Sequence, residues 1–202
     1  QYSAPLYFFT LPPFTLLPSA SYLFTFKCNS SAASLSIFTN SPPSPGRFIV
    51  IPSSGFEVQT EFTLNAGLWL DADLPLSYSF LYEQNFPAVL LTIQGRSESP
   101  LSQSYLPSGL RTLAYQVICM VIVYDVLDAS NNMTAGVVVQ PLGQESRTAW
   151  LRSAFNSSVT TVEDSSNGVF QDAESLRRTV SITSSLLNSQ NCSLSPQCNL
   201  LY

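Results

Sequence analysis

Residues 39–82 read TNSPPSPGRFIVIPSSGFEVQTEFTLNAGLWLDADLPLSYSFLY. Pro42, Pro43 and Pro45 lock φ over residues 39–46 and mark a stiff linker. RFIVIP then reads as a strand, and Ser53-Ser54-Gly55 as a tight turn needing φ > 0. FEVQTEFTLNA is a second strand-like run, followed by a loop from Trp69 to Asp73. In LPLSYSFLY the apolar residues Leu76, Tyr78 and Phe80 recur at period two, so they face one side of a sheet. Trp69 carries a large ring that a core would bury. Downstream, PAVLLTIQG, AYQVICMVIVYD and GVVVQPL continue in the same style. Six or seven strands in about 100 residues predict a β-sandwich. YQVICMVIVYD is apolar on both faces, which places it at the centre of a sheet.

Three parts follow. Residues 1–43 hold the runs LYFFTL, SYLFTFKC and ASLSIFTN, which are too few to close a sandwich. Leu16, Pro18 and Tyr22 have a spacing similar to the tyrosine corner of fibronectin-type sandwiches. These residues are expected to be the last strands of a preceding sandwich plus the linker. Residues 44–143 form the main sandwich. In residues 144–202 the spacing changes. Trp150, Leu151, Ala154, Phe155, Val159 and Val162 recur every three or four positions, as do Val169, Ala173, Leu176, Val180 and Leu187. The turn-rich Glu163–Gly168 separates them, so a pair of helices is expected. The expected fold class is mainly β, an Ig/fibronectin-III-like sandwich followed by that pair.

Composition narrows the chemistry. Charged residues are 10% of the 202, against about 25% in an average soluble domain. Serine and threonine, at 32 and 14, supply the polar surface. With no histidine, Ser-His-Asp and Cys-His machinery and His-ligated metals are excluded within the chain. A net charge of −5 with eight basic residues argues against nucleic acid. No run approaches the ~18–20 apolar residues of a membrane span. The N-terminus does not read as a signal peptide, and Gln1 is not a natural start; a piece of a longer chain is expected, with any anchor elsewhere.

Four N-x-S/T acceptors, Asn29, Asn132, Asn156 and Asn191, lean toward a secreted context. Cys192 and Cys198, six apart around Pro196, read there as a disulfide-closed loop. Cys28 and Cys119 lie in strand-like runs; they could pair with each other, pair elsewhere, or stay as buried thiols.

The run N-x-P-P-x-x-G, P-S-S-G, T-x-F and W-x-D-x-D-L-P-L-x-Y-x-F resembles the REJ (receptor for egg jelly) module of polycystin-like surface proteins. Asn40, Pro42, Pro43, Gly46, Pro52, Gly55, Thr60, Phe62, Trp69, Asp71, Asp73, Pro75, Leu76, Tyr78 and Phe80 carry the match. SYLPSGLRTLAYQVICMVIVYDVLDA matches more loosely. Members often carry a cysteine near the start of the module; here Arg47 or Phe48 stands there, leaving Cys119 without an obvious partner.

The resemblance implies a non-catalytic extracellular segment of a membrane-anchored glycoprotein. It would be a stalk or docking module beside a polycystin-type channel, at the extracellular face of a plasma or ciliary membrane. The implied partners are other extracellular domains of the same chain, the channel or a surface protein, and N-glycans. The alternative is a structural matrix or ciliary-filament glycoprotein assembled by lateral sandwich contacts. A carbohydrate-binding sandwich ranks lower, since Trp69 and Trp150 both read as buried. No cofactor is expected. Asp71 and Asp73 read first as Asx-turn carboxylates, with a calcium site at a module edge as the minority alternative. Glu57 and Glu61 share one face of a strand-like run, read as the solvated side of an edge strand. Glu174 and Arg177-Arg178 read as a solvated helix face.

Overall fold

A computed structural model describes residues 8–85, 88–143 and 145–150, with positions 153, 180, 183 and 184. Strands β1 (Ser21–Cys28) and β2 (Ser31–Phe38) form an antiparallel hairpin. Its two-residue turn is set by Asn29, whose φ of 52° suits the right-handed twist of the flanking strands. The Tyr22 hydroxyl accepts the Leu17 N–H at 2.7 Å, a bond back to the upstream backbone, but residues 8–20 hold no strand and so make no strand-to-strand corner. Period-two alternation puts Tyr22, Phe24 and Phe26 on one face, opposite Ile37, Leu35 and Ala33. Phe9 packs on Phe24, with ring centroids 5.8 Å apart. Phe26 and Leu35 on that face stay 53% and 63% exposed, so it is largely open. The strand expected at LYFFTL is not found over its described part: residues 8–11 carry no regular structure.

Eight strands follow in two sheets. The five-stranded sheet runs β4 (Ser54–Phe56), β10 (Ser130–Gln140), β9 (Gln116–Tyr124), β6 (Ser77–Asn85), β7 (Ala88–Ser97). The three-stranded sheet runs β3 (Arg47–Ile51), β5 (Glu61–Gly67), β8 (Leu101–Tyr105). This is a mainly-β sandwich, with β9 central as its two apolar faces require. Inward residues of both layers make one core: Phe62 and Leu64 from β5, Phe80 from β6, and Val121 and Val123 from β9 are all sealed from solvent. Phe48 and Phe80 bridge the layers at 6.2 Å between rings.

Two of the eight strands lie outside the expected set. β8 (LSQSY) turns Ser102 and Ser104 inward and Leu101 and Tyr105 outward. Its apolar pattern is inverted, so periodicity alone reads it as a loop. β4 is three residues long and pairs parallel with the end of β10, too short to show a period.

Residues 145–150 are helical, where the first helix of the pair was expected. Positions 153, 180, 183 and 184 are helical too; the rest of the pair lies outside the described residues. Among the described residues no helix is long and apolar enough to cross a membrane.

Candidate functional site

Two buried carboxylates stand at opposite ends of the five-stranded sheet. β9 and β10 pair from Tyr124↔Ser130 at one end to Gln116↔Val138 at the other. Asp125 lies just past the first end and Glu57 beside the second; both are sealed from solvent.

Asp125 closes the β9–β10 turn. Its Oδ1 accepts the N–H groups of Leu127 and Ala129 at 2.8 and 2.9 Å, an Asx-type geometry. Its Oδ2 accepts the amide of Asn40 from the linker. Nearby, the Asn131 amide donates to the Pro43 carbonyl at 3.1 Å, and Ser44 forms a bridge with Leu70. The incoming chain is therefore fastened at this end. Asp71 Oδ1 accepts the Asp73 N–H at 2.8 Å, which is the expected Asx turn. Carboxylate oxygens of Asp71, Asp73 and Asp125 all lie within 4.8 Å of one another. These three residues are the ones that could hold a divalent cation. Calcium, however, takes six to eight oxygens, and both Asp125 oxygens already serve three N–H donors. The hydrogen bonds fit a clasp between loops better than a coordination shell.

Glu57 corrects the expectation of a solvated strand face shared with Glu61. The chain leaves β4 in a turn at residues 57–59, and Val58 adopts φ 51°. That turn drives the Glu57 side chain inward, while Glu61 on β5 stays exposed. Glu57 Oε1 accepts Arg147 Nε at 2.7 Å and the Leu142 N–H at 2.9 Å, and Arg147 Nη2 lies 2.6 Å away. Oε2 accepts the Ser108 N–H at 3.3 Å. A buried charge survives only when paired and hydrogen-bonded, and here a guanidinium that brings Nε and Nη2 to one oxygen, with backbone N–H donors beside it, supplies both conditions. Val58, Leu142 and Trp150 pack together alongside. The outgoing chain is fastened at this end.

The REJ domain family profile matches residues 7–179. The chain belongs to the REJ domain family. REJ domains are extracellular, polycystin-type modules. Among solved structures, one titled "Structural basis for the promiscuous specificity of the carbohydrate-binding modules from the beta-sandwich super family" is similar at 21% identity and a TM-score of 0.37. The match covers 50% of this chain and 36% of that one, and at that level it carries no argument about ligands.

Several residues of the REJ motif meet in space. Asn40 reaches Asp125, and Pro43 is fully buried under Asn131. A Cβ at Gly46 would sit 2.3 Å from the Gly67 oxygen and 2.5 Å from the Trp69 nitrogen, so the linker runs flush against the chain leaving β5. Gly55 was expected to supply positive φ in a turn. Instead it lies inside β4, and the Thr60 side chain occupies the space of its missing Cβ at 2.5 Å. Thr60 Oγ1 in turn accepts the Phe56 N–H at 2.9 Å. Leu76, Tyr78 and Phe80 enter the core together, as their alternation requires.

The remaining candidates are placed unevenly. Asn29 and Asn132 are exposed, on the hairpin turn and on β10. Asn156, Asn191, Cys192 and Cys198 lie outside the described residues, as do Glu174, Arg177 and Arg178. Cys28 is a free, exposed thiol; Cys119 is a free, buried one, and burial pushes its pKa up to about 12. Trp69 is buried and Trp150 half-buried, so neither ring stands out as an open stacking platform for a sugar. Sequence reasoning missed Asp125, whose partner Asn40 is set by a loop distant in the chain. It also missed Arg147.

Proposed function

We propose that this REJ module is a non-catalytic, tension-bearing spacer in a large membrane-anchored surface glycoprotein. It sits beside a polycystin-type channel at the extracellular face of a plasma or ciliary membrane. The observation that carries the reading is the pair of buried carboxylate clasps. The chain enters at the Asp125 end and leaves at the Glu57 end. Tension between the flanking segments therefore runs along β9 and β10, whose backbone ladders must shear together rather than unzip one bond at a time. The open apolar face of the β1–β2 hairpin is the docking surface for a neighbouring domain of the same chain. The Tyr22–Leu17 bond supports assigning this hairpin to a fibronectin-type sandwich. Asp71 and Asp73 act as loop formers around Asp125.

Single-molecule stretching tests the reading, with handles placed before Asn40 and after Arg147. Glu57→Ala and Asp125→Ala should each lower the unfolding force of the sandwich. Unchanged force in both variants, with folding intact by circular dichroism, would refute the spacer mechanism. The rival reading, a laterally assembled filament glycoprotein, predicts concentration-dependent oligomers of the isolated chain in sedimentation; the spacer reading predicts none.

A further inference from the structure

A sheet face that meets water ordinarily alternates apolar residues inward with polar residues outward. The outer face of the five-stranded sheet breaks that rule along its central strand. β9 points Val117, Cys119, Val121 and Val123 into the core and turns Ile118, Met120 and Ile122 outward, half-buried. Register places Leu81 of β6 beside Met120, extending the aliphatic stripe sideways. On the other flank β10 lays down Asn132 beside Ile122, Thr134 beside Met120 and Gly136 beside Ile118. Asn132 and Thr134 are both exposed on this outer face. They are the acceptor and the hydroxyl of one N-x-T sequon, so the sequon lies directly against the stripe, about 4.8 Å away across one strand spacing.

We propose that Asn132 carries an N-linked glycan whose first sugars lie across this face and cover the Ile118–Met120–Ile122 stripe. The inference rests on the extracellular reading above and goes beyond it by assigning the glycan a structural surface. A pyranose ring presents a face of C–H groups, and its N-acetyl group presents a methyl; both suit aliphatic side chains, while the hydroxyls stay in water. Tethering at Asn132 supplies the sugar at high effective concentration, because the anchor is already on the face. Along residues 130–137, β10 is paired, among the described residues, only to β9. A bulky glycan there also hinders edge-to-edge pairing with another chain.

The experiment uses the whole chain secreted from cells that build N-glycans. Glycopeptide mass spectrometry should find Asn132 occupied in the wild type and in Thr134→Ser, and bare in Asn132→Gln and Thr134→Ala. The two bare variants should melt roughly 3 °C lower or more, whereas Ser31→Ala, which removes the Asn29 sequon on the hairpin turn, should leave the sandwich transition in place. Enzymatic removal of glycans from the folded wild type needs no substitution and should raise apolar-dye binding several-fold. In a Met120→Thr, Ile122→Thr background, loss of the Asn132 glycan should change neither reading further. A bare Asn132 alongside a glycosylated Asn29 would overturn the inference and leave the extracellular reading standing. An occupied Asn132 whose removal alters neither melting nor dye binding would overturn it too. Every sequon bare in native material would instead sink the extracellular reading itself.

Discussion

The two ends of the sandwich solve the same problem differently. At the entry end the Asp125 carboxylate accepts only neutral donors, two backbone N–H groups of its own turn and the amide of Asn40, while the Arg96 guanidinium reaches its backbone carbonyl rather than the carboxylate. At the exit end Glu57 meets a full positive charge on Arg147 as well as the backbone of Leu142 and Ser108. The Asp125 carboxylate organises a turn within four residues of itself and takes one distant donor, the Asn40 amide. Glu57 draws together three segments up to 90 residues apart in sequence. The entry joint is therefore mostly local and would form in part without the linker. The exit joint exists only once the sandwich, the segment after β10 and the helical turn at 145–150 have assembled. A buried ion pair is also the less forgiving device, since removing either partner strands the other.

That contrast can be tested by size of effect. Glu57→Ala should cost the most, about 3–5 kcal/mol in denaturant unfolding, by leaving Arg147 and two N–H groups without their acceptor. Arg147→Ala should cost nearly as much, and a double-mutant cycle between them should show coupling above about 1 kcal/mol. Additive losses would mean that the pair does not act as a clasp. Asp125→Ala comes next, at roughly 2–4 kcal/mol, because three donors lose one acceptor. Asn40→Ala should cost about 1 kcal/mol, far less than Asp125→Ala, if the entry joint is as local as its bonds indicate. Equal losses would make the linker the principal partner.

Tyr22→Phe removes only the exposed bond to Leu17 and should shift stability by about 1 kcal/mol or less. It should leave the exit clasp untouched, as read by hydrogen exchange at Leu142. The smallest effect expected is that of calcium. With Asp125 satisfied by N–H donors, millimolar calcium should raise the melting temperature no more than magnesium does. A calcium-specific rise lost in Asp73→Asn would convert the entry clasp into a cation site.

Most strands were legible because their inward residues are apolar at period two, as in Val117, Cys119, Val121 and Val123. β8 was not, because serines fill its inward positions where the layers close on small side chains. Asp71 and Asp73 were legible as loop formers, since an Asx turn needs only a carboxylate and the N–H two residues on. Their neighbour Asp125 was not, because the contact spans loops more than 50 residues apart. Glu57 was misread: period two holds within a strand, and a turn with Val58 at φ 51° breaks it before Glu61.

The amino-acid order by itself determined the β class, the central place of β9 and the family, because each depends on alternation or on a motif read within a few dozen residues. Only the folded chain decided which carboxylates are buried, which partners neutralise them and at which end of the sheet each stands. Burial and charge pairing are set by strands brought together from distant parts of the chain, and no local pattern encodes that distance.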